Sequence, residues 1–250
     1  MEKQDRLYNV NLKNAVITDS DFTHQYFGHW LSDAVSSNLI ATSNMPSLIF
    51  KKPKYQHANE YTKILELQNI VGNLGTVENL FLLEDYSQNS YKVKRYLELR
   101  KRLQRNLGLL DNSFSKNVFM ARGNTGDKRN LINELAVIDH LQARGFDIIY
   151  PEKMTVSDLM RKLWNASLVV SVEGSALNHC IYSISLKGAY LILQPPHLVN
   201  HVHKGICDAM NLHYGFYVCK PTKNLNEFYV DSMSDLDRIV DEMLNKITEI

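Results

Sequence analysis

The order of strand-like and helix-like segments predicts an α/β protein, and three observations carry that expectation. Between residues 117 and 218, five short apolar runs alternate with four helix-patterned stretches. The first hundred or so residues alternate in the same way with shorter segments. Between them, residues 109–116, with Gly108 alongside and Asp111, Asn112 and two serines within, form the best linker in the chain. Strands that alternate with helices build parallel sheets, because parallel neighbours need a crossover connection. The expected plan is two α/β halves, residues 1–112 and 113–230, with residues 231–250 as a terminal helix packing back across them.

Each element has its own signal. Residues 6–18 place Leu7, Val10, Leu12, Val16 and Ile17 around Lys13 and Asn14, which predicts two short strands and a turn. A helical pattern follows Phe22 to about Asn38, and residues 47–50 read as a short strand. Ile64, Leu65, Leu67 and Ile70 lie near helical spacing, predicting a helix over 61–70, and residues 79–83 read as a strand. Residues 91–107 predict a long basic helix with Val93, Leu97, Leu103 and Leu107 inward. Strands are then expected at 117–121, 147–150, 168–172, 190–193 and 215–218, and helices at 129–143, 156–165, 177–185 and 199–211. In the last segment Leu236, Ile239, Val240, Met243, Leu244 and Ile247 share one helical face.

Composition excludes several classes. The 250 residues are 44% hydrophobic and 22% charged, with a formal net charge of +1, so the basic excess of a nucleic-acid binder is missing and no nucleic-acid partner is expected. Cys180, Cys207 and Cys219 are widely spaced and odd in number, which fits a reducing compartment and argues against a disulfide framework or a Cys-rich zinc site. The charged start, Met1 to Arg6, leads into no apolar run, and no stretch of about 18 apolar residues occurs, so a soluble, cytoplasmic protein is expected.

Four clusters carry chemistry. The apolar run 168–172 empties into Glu173, Gly174 and Ser175, with Asn178 and His179 a turn further on. Small residues where a strand ends and a helix opens let a ligand approach unpaired N–H groups, although the same residues also suit a plain tight turn. His29 and Asp33 are four apart and share a helical face, so either could serve as base with the other as orienter, and His24 is a third candidate. Arg122, Lys128 and Arg129 surround a glycine-containing turn before a helix whose first turns hold Asn133 and Glu134, an arrangement suited to a diphosphate or to a solvated basic loop. His197, His201 and His203 precede Lys204; no ligand frame completes a metal site, and a phosphate contact from His203 or Lys204 is the stronger reading.

Taken in order, His29-Trp-Leu-Ser-Asp33, Arg122, the stretch from Arg129 to Asn133 and Glu134, Gly145-Phe-Asp-Ile-Ile-Tyr-Pro151 and Glu173-Gly-Ser-Ala-Leu-Asn178 resemble glycosyltransferase family 61, which includes capsular polysaccharide biosynthesis proteins. The likeness spans residues 22–217 and rests on the order of several weak motifs. The family's His-Gly-Ala-Gly-Leu-Thr-Asn type turn here begins with Glu173 and carries Ala176 in place of its second glycine. The resemblance implies two Rossmann-like domains of GT-B type, with a nucleotide-sugar donor on the second, a glycan or lipid-linked glycan acceptor on the first, and inversion without a metal or cofactor. It implies a cytoplasmic enzyme of surface polysaccharide synthesis, working at the inner membrane face, where the basic helix 92–105 could contact lipid. Asp33 is the favoured base, with His29 orienting or replacing it. Arg122, Lys128, Arg129 and the Gly174–Ser175 turn are the expected diphosphate ligands, and Glu173 the acceptor of ribose or sugar hydroxyls. A sugar-nucleotide-modifying enzyme or a catalytically degenerate scaffold remain the rival readings.

Overall fold

The computed structural model describes residues 8–85, 87–110, 116–123, 129–198 and 200–248. Its first sheet is parallel, ordered β3-β2-β1-β4, from β1 (Asn9–Ile17), β2 (Ser47–Ile49), β3 (Asn69–Val71) and β4 (Leu74–Phe81). The region 6–18 expected as two strands and a turn is the single strand β1. Its ladder with β4 runs from Asn9 opposite Leu74 to Val16 opposite Phe81, and Asn14 uses its side chain laterally, donating to Asn44 O and accepting from Asn79 Nδ2.

After β1 the chain forms α1 (Asp21–Gln25), capped by Ser20 and Thr23 reciprocally, and then α2 (Phe27–His29). A π-helical segment, Trp30–Ala34, carries the helix on into α3 (Val35–Asn38). Helix α4 (Ala58–Ile64) stops short of the expected residue 70, because Glu66 takes a left-handed φ of 56° and turns the chain, and Ile70 joins β3. Helix α5 (Ser90–Leu107) begins at the Asn89 cap and ends at Gly108, whose φ of 59° only glycine adopts without cost. Its buried stripe is Lys92, Tyr96, Leu99 and Leu103; of the four residues expected inward, Leu103 alone is fully buried.

The second sheet is also parallel, ordered β10-β9-β8-β5-β7, from β5 (Asn117–Met120), β7 (Asp147–Ile149), β8 (Leu168–Val172), β9 (Ala189–Gln194) and β10 (His213–Val218). All five strands expected in this half are present. The chain leaves β5 for β7 on one side and later returns on the other side as β8, so the order reverses between β5 and β8. Helices α6 (Glu134–Ala143), α7 (Val156–Leu163), α8 (Val202–Met210) and α9 (Met233–Thr248) lie near their expected places, while 177–185 is served by a 3-10 helix, Ser175–Tyr182. The helix expected from residue 129 starts late because Asn130–Leu131 forms β6. That strand pairs with β12 (Glu227–Tyr229), which also pairs with β11 (Lys220–Pro221) in a small third sheet.

Both faces of the second sheet are buried, as an all-parallel sheet requires. Strand β9 shows why: Tyr190 and Ile192 enter one apolar cluster, and Ala189, Leu191 and Leu193 enter the other. The first cluster contains Trp30, Tyr61, Tyr96, Leu99 and Leu103 together with Met120, Trp164 and Tyr182, so helices from before residue 110 pack on this sheet. The second holds Phe119, Val137, Leu141 and the α9 residues Leu236, Val240 and Met243. The terminal helix, expected to pack across both halves, has its buried residues in this second cluster, over β9 and β10. Cys180, Cys207 and Cys219 are all buried free thiols. Among the described residues no helix is long and apolar enough to cross a membrane. The basic helix expected to meet lipid uses most of its cations internally, with Arg95 on Asp85, Arg100 on Trp164 and on main-chain carbonyls, and Arg105 on Glu66.

A core shared in this way should unfold as one unit. The two tryptophans, Trp30 and Trp164, lie in the same cluster, so variants that keep only one of them are expected to give urea transitions by fluorescence that coincide with the circular-dichroism transition. Two separated midpoints would contradict it. Leu99→Ala, which opens the centre of that cluster, is expected to cost about 2–5 kcal/mol in the same measurement.

Candidate functional site

In a parallel sheet ligands gather beyond the carboxyl ends of strands where the strand order reverses. Here that point lies between β5 and β8, and two arginines meet there. Arg122 follows β5 directly and donates through Nη1 to Glu173 O at 3.2 Å. Arg129 donates to the same carbonyl at 3.2 Å and contacts Glu173 Oε2 closely. Asn200 Nδ2 holds the other carboxylate oxygen at 2.8 Å. Gly174 is needed for this approach, since a Cβ there would lie 2.6 Å from Arg122 Nη1.

Glu173, the expected acceptor of ribose or sugar hydroxyls, sits beneath these groups. Its side chain is only 2% exposed and both oxygens are engaged within the protein, so it acts as a hub that aims two guanidinium groups. Glu134 accepts from Arg122 N at 2.7 Å and braces the same loop; burial raises its pKa above the usual carboxylate range. The Asn133 side chain is engaged with Val230, donating through Nδ2 to its carbonyl and accepting its N–H at Oδ1. Lys128 lies outside the described residues. Ser175, half-buried, flanks Gly174 at the start of the 3-10 helix.

The histidine cluster near residue 200 separates in space. His197 and His201 are exposed, while His203 is buried with Nε2 3.0 Å from Asn178 Oδ1. Burial, reinforced by the Arg129 charge, pushes His203 down to about 4. Lys204 pairs with Asp208 on the exposed face of α8. His203 thus partners Asn178, whose Nδ2 donates to Gly28 O at 2.8 Å.

That last bond joins the arginine turn to the helix carrying the second cluster. A Cβ on Gly28 would come within 3.2 Å of both Asn178 Nδ2 and Ser175 Oγ, so α2 and the turn are in direct contact. Nearby, Tyr61 and His179 Nδ1 are 2.7 Å apart, Phe27 packs on the His179 ring, and the Tyr182 hydroxyl donates to Leu31 O at 2.5 Å. On the outer side of this helix, His29 Nδ1 lies 2.8 Å from Asp33 Oδ2. His29 is 38% and Asp33 33% exposed, open enough to meet a substrate. Lys92 Nζ donates to Asp33 Oδ1 at 3.0 Å.

Burial pulls the Asp33 pKa upward, but the His29 hydrogen bond and the Lys92 charge outweigh it and hold the carboxyl below its ordinary range. An acid so readily ionised is a weak base and a good orienter. His24 stands apart: it lies 2.9 Å from the buried Asp19, without hydrogen-bond alignment, beside a small cavity bounded by Thr18, Trp30 and Asn38. The sequence reading missed Lys92 and Asn200. Lys92 was recoverable, because it begins the i, i+4, i+7, i+11 stripe through Tyr96, Leu99 and Leu103. Asn200 carried no such signal.

A family model described as Glycosyltransferase 61 matches residues 27–192, well over half of the chain. The match runs from α2 into β9 and takes in His29, Asp33, Arg122, Arg129 and the Glu173 turn; His24, His203 and Lys204 fall outside it. No curated protein matches the chain.

Two buried neutral imidazoles give a stability prediction. Burial holds the His203 and His179 pKa values below normal in the fold. The unfolded chain thus binds protons at about pH 6.5 that the folded chain refuses. Stability should be full above about pH 6.5 and fall as pH drops towards about 4. His203→Gln is expected to flatten that slope in urea unfolding at pH 7.5 and 5; a slope equal to wild type would refute the assignment.

Proposed function

Because the chain belongs to glycosyltransferase family 61, we propose that it moves a sugar, with inversion, from a nucleotide-sugar donor to a hydroxyl of a glycan acceptor in surface polysaccharide synthesis. Membership supports glycosyltransferase activity in general. The finer reading is supported by one observation above others: a His29–Asp33 dyad sits on a helix packed directly against the turn where Arg122 and Arg129 converge.

Inversion needs one displacement at the anomeric carbon. In the proposed reaction His29 Nε2 takes the acceptor hydroxyl proton as that oxygen attacks, and the bond from the anomeric carbon to the diphosphate breaks. Asp33 keeps the imidazole oriented and stabilises the imidazolium. Negative charge grows on the departing diphosphate, where guanidinium groups and helix-end N–H groups suit it. A guanidinium carries five N–H donors, so Arg122 and Arg129 can hold Glu173 and a phosphate together. No metal or cofactor is assigned a part in this reading.

The strand orders β3-β2-β1-β4 and β10-β9-β8-β5-β7 support an organisation in two Rossmann-like halves of GT-B type, with the donor on residues 113–230 and the acceptor on 1–112. The proposed boundary near 112 lies among residues outside the described ones. A cytoplasmic enzyme would meet a glycan or lipid-linked acceptor at the inner membrane face.

The test is a thermal-shift screen with nucleoside diphosphates and sugar nucleotides, with and without chelator. A ligand at 100 times its Kd stabilises by about 2.7 kcal/mol. One nucleotide class should give a chelator-insensitive shift that Arg122→Ala reduces. With the donor so identified, His29→Ala should keep the shift and lose about 10²–10⁴-fold in transfer. Binding without turnover over a broad acceptor panel would favour a scaffold, and nucleotide release without acceptor would favour a sugar-nucleotide-modifying enzyme.

A further inference from the structure

The chemistry above leaves one buried charge unused. Lys92 is a lysine on the inner face of α5, with its side chain 3% exposed, and a buried ammonium is costly unless charges are arranged for it. Its Nζ donates to Asp33 Oδ1 at 3.0 Å and to the Asp85 carbonyl at 3.2 Å, and lies 3.6 Å from Asp85 Oδ2. Asp85 is itself held by Arg95 and by Asn89 Nδ2 at 3.1 Å, and Asn89 is the cap from which α5 starts. The arrangement is a line of groups, Arg95, Asp85, Lys92, Asp33 and His29, with its far end fixed by a helix terminus.

We propose that Lys92 is a positioning residue for the His29–Asp33 dyad, dividing the Asp33 carboxylate with the imidazole so that the carboxylate is fixed in direction and its pull on the His29 proton is moderated. The inference rests on the reading of His29 as the base. With Oδ1 on Lys92 and Oδ2 on His29, the carboxyl group cannot turn away from the imidazole without breaking the ammonium contact. The charges around it also matter. Lys92 and Tyr96 from α5 and Tyr182 from the 3-10 helix act on Asp33, Asp85 and Arg95 lie behind Lys92, and the rings of Phe22 and Tyr26 lie against His29. Two carboxylates, Asp33 and Asp85, thus meet two cations, Lys92 and Arg95, behind the imidazole. An uncompensated carboxylate 2.8 Å away would favour the imidazolium, and a base already protonated at working pH cannot accept a proton.

The test needs no substrate. The His29 ring resonance, assigned by its loss in His29→Gln, is titrated by NMR in wild type, Lys92→Met, Asp33→Asn and the double variant. Lys92→Met is expected to raise the His29 midpoint by about one pH unit, and the same change in the Asp33→Asn background is expected to have no effect. A folded Lys92→Met protein whose His29 midpoint is unchanged or lower would overturn the proposal, as would an equal shift in the Asp33→Asn background. A merely structural lysine would give the former result. If Lys92→Met alone does not fold, the double variant should recover the fold, because the Asp33 charge that Lys92 balances is removed with it; failure to recover also overturns it. These outcomes are separate from the base reading, which falls instead if His29→Ala transfers sugar at the wild-type rate.

Discussion

A buried carboxylate sets the terms for this site. Glu173 ends the central strand of a sheet that is apolar on both faces, where an isolated charge would cost several kcal/mol. It persists because Arg129 and Asn200 engage its two oxygens. The same contacts gather Arg129 and Arg122 over one carbonyl, at the place where strand order reverses. Glu173 thus has a visible partner set beside the Gly174 approach and the Asn178 tether to Gly28.

The second constraint is the contact between α2 and that turn. Gly28, Asn178 and His203 form a chain in which each group is fixed by the next through packing or a hydrogen bond. Polar side chains buried this way are sensitive to partial satisfaction, which gives the network a single preferred arrangement. The π-helical turn at Trp30–Ala34 lies within the same helix, and such turns are frequent at functional sites. Asp33 is inside it, with its carboxylate between an imidazole and an ammonium.

Local pattern made much of this legible. The five strands of the second sheet each showed a short apolar run bounded by turn residues, and all were found. The His29–Asp33 pair followed from helical spacing alone. What pattern could not reveal was partnership across the chain. Asn130 and Leu131 read as helix until β12 claimed them as a strand, and Ile70 read as helix until β2 did the same. Glu173, Asn133 and His203 read as ligands because polar residues near a strand end invite that reading, while their internal partners, 27 to 97 positions away in the first two cases, left no local signal. The contact between Lys92 and Asp33, which helps to lower the carboxyl's pKa, is hidden for the same kind of reason: the two are 59 residues apart.

The three cysteines have a consequence of a different kind. Cys180, Cys207 and Cys219 are buried in the two apolar clusters, and burial pushes their thiols up, to about 12 for Cys207 and Cys219. Thiolate is the form that reacts with oxidants and alkylating agents, so these sulfurs are chemically quiet while the fold is closed. Resistance to oxidation is therefore a property of the packing, and it extends only as far as the packing lasts. Each opening of the core exposes a nucleophile that was silent before, so the molecule carries its own internal record of how often it breathes.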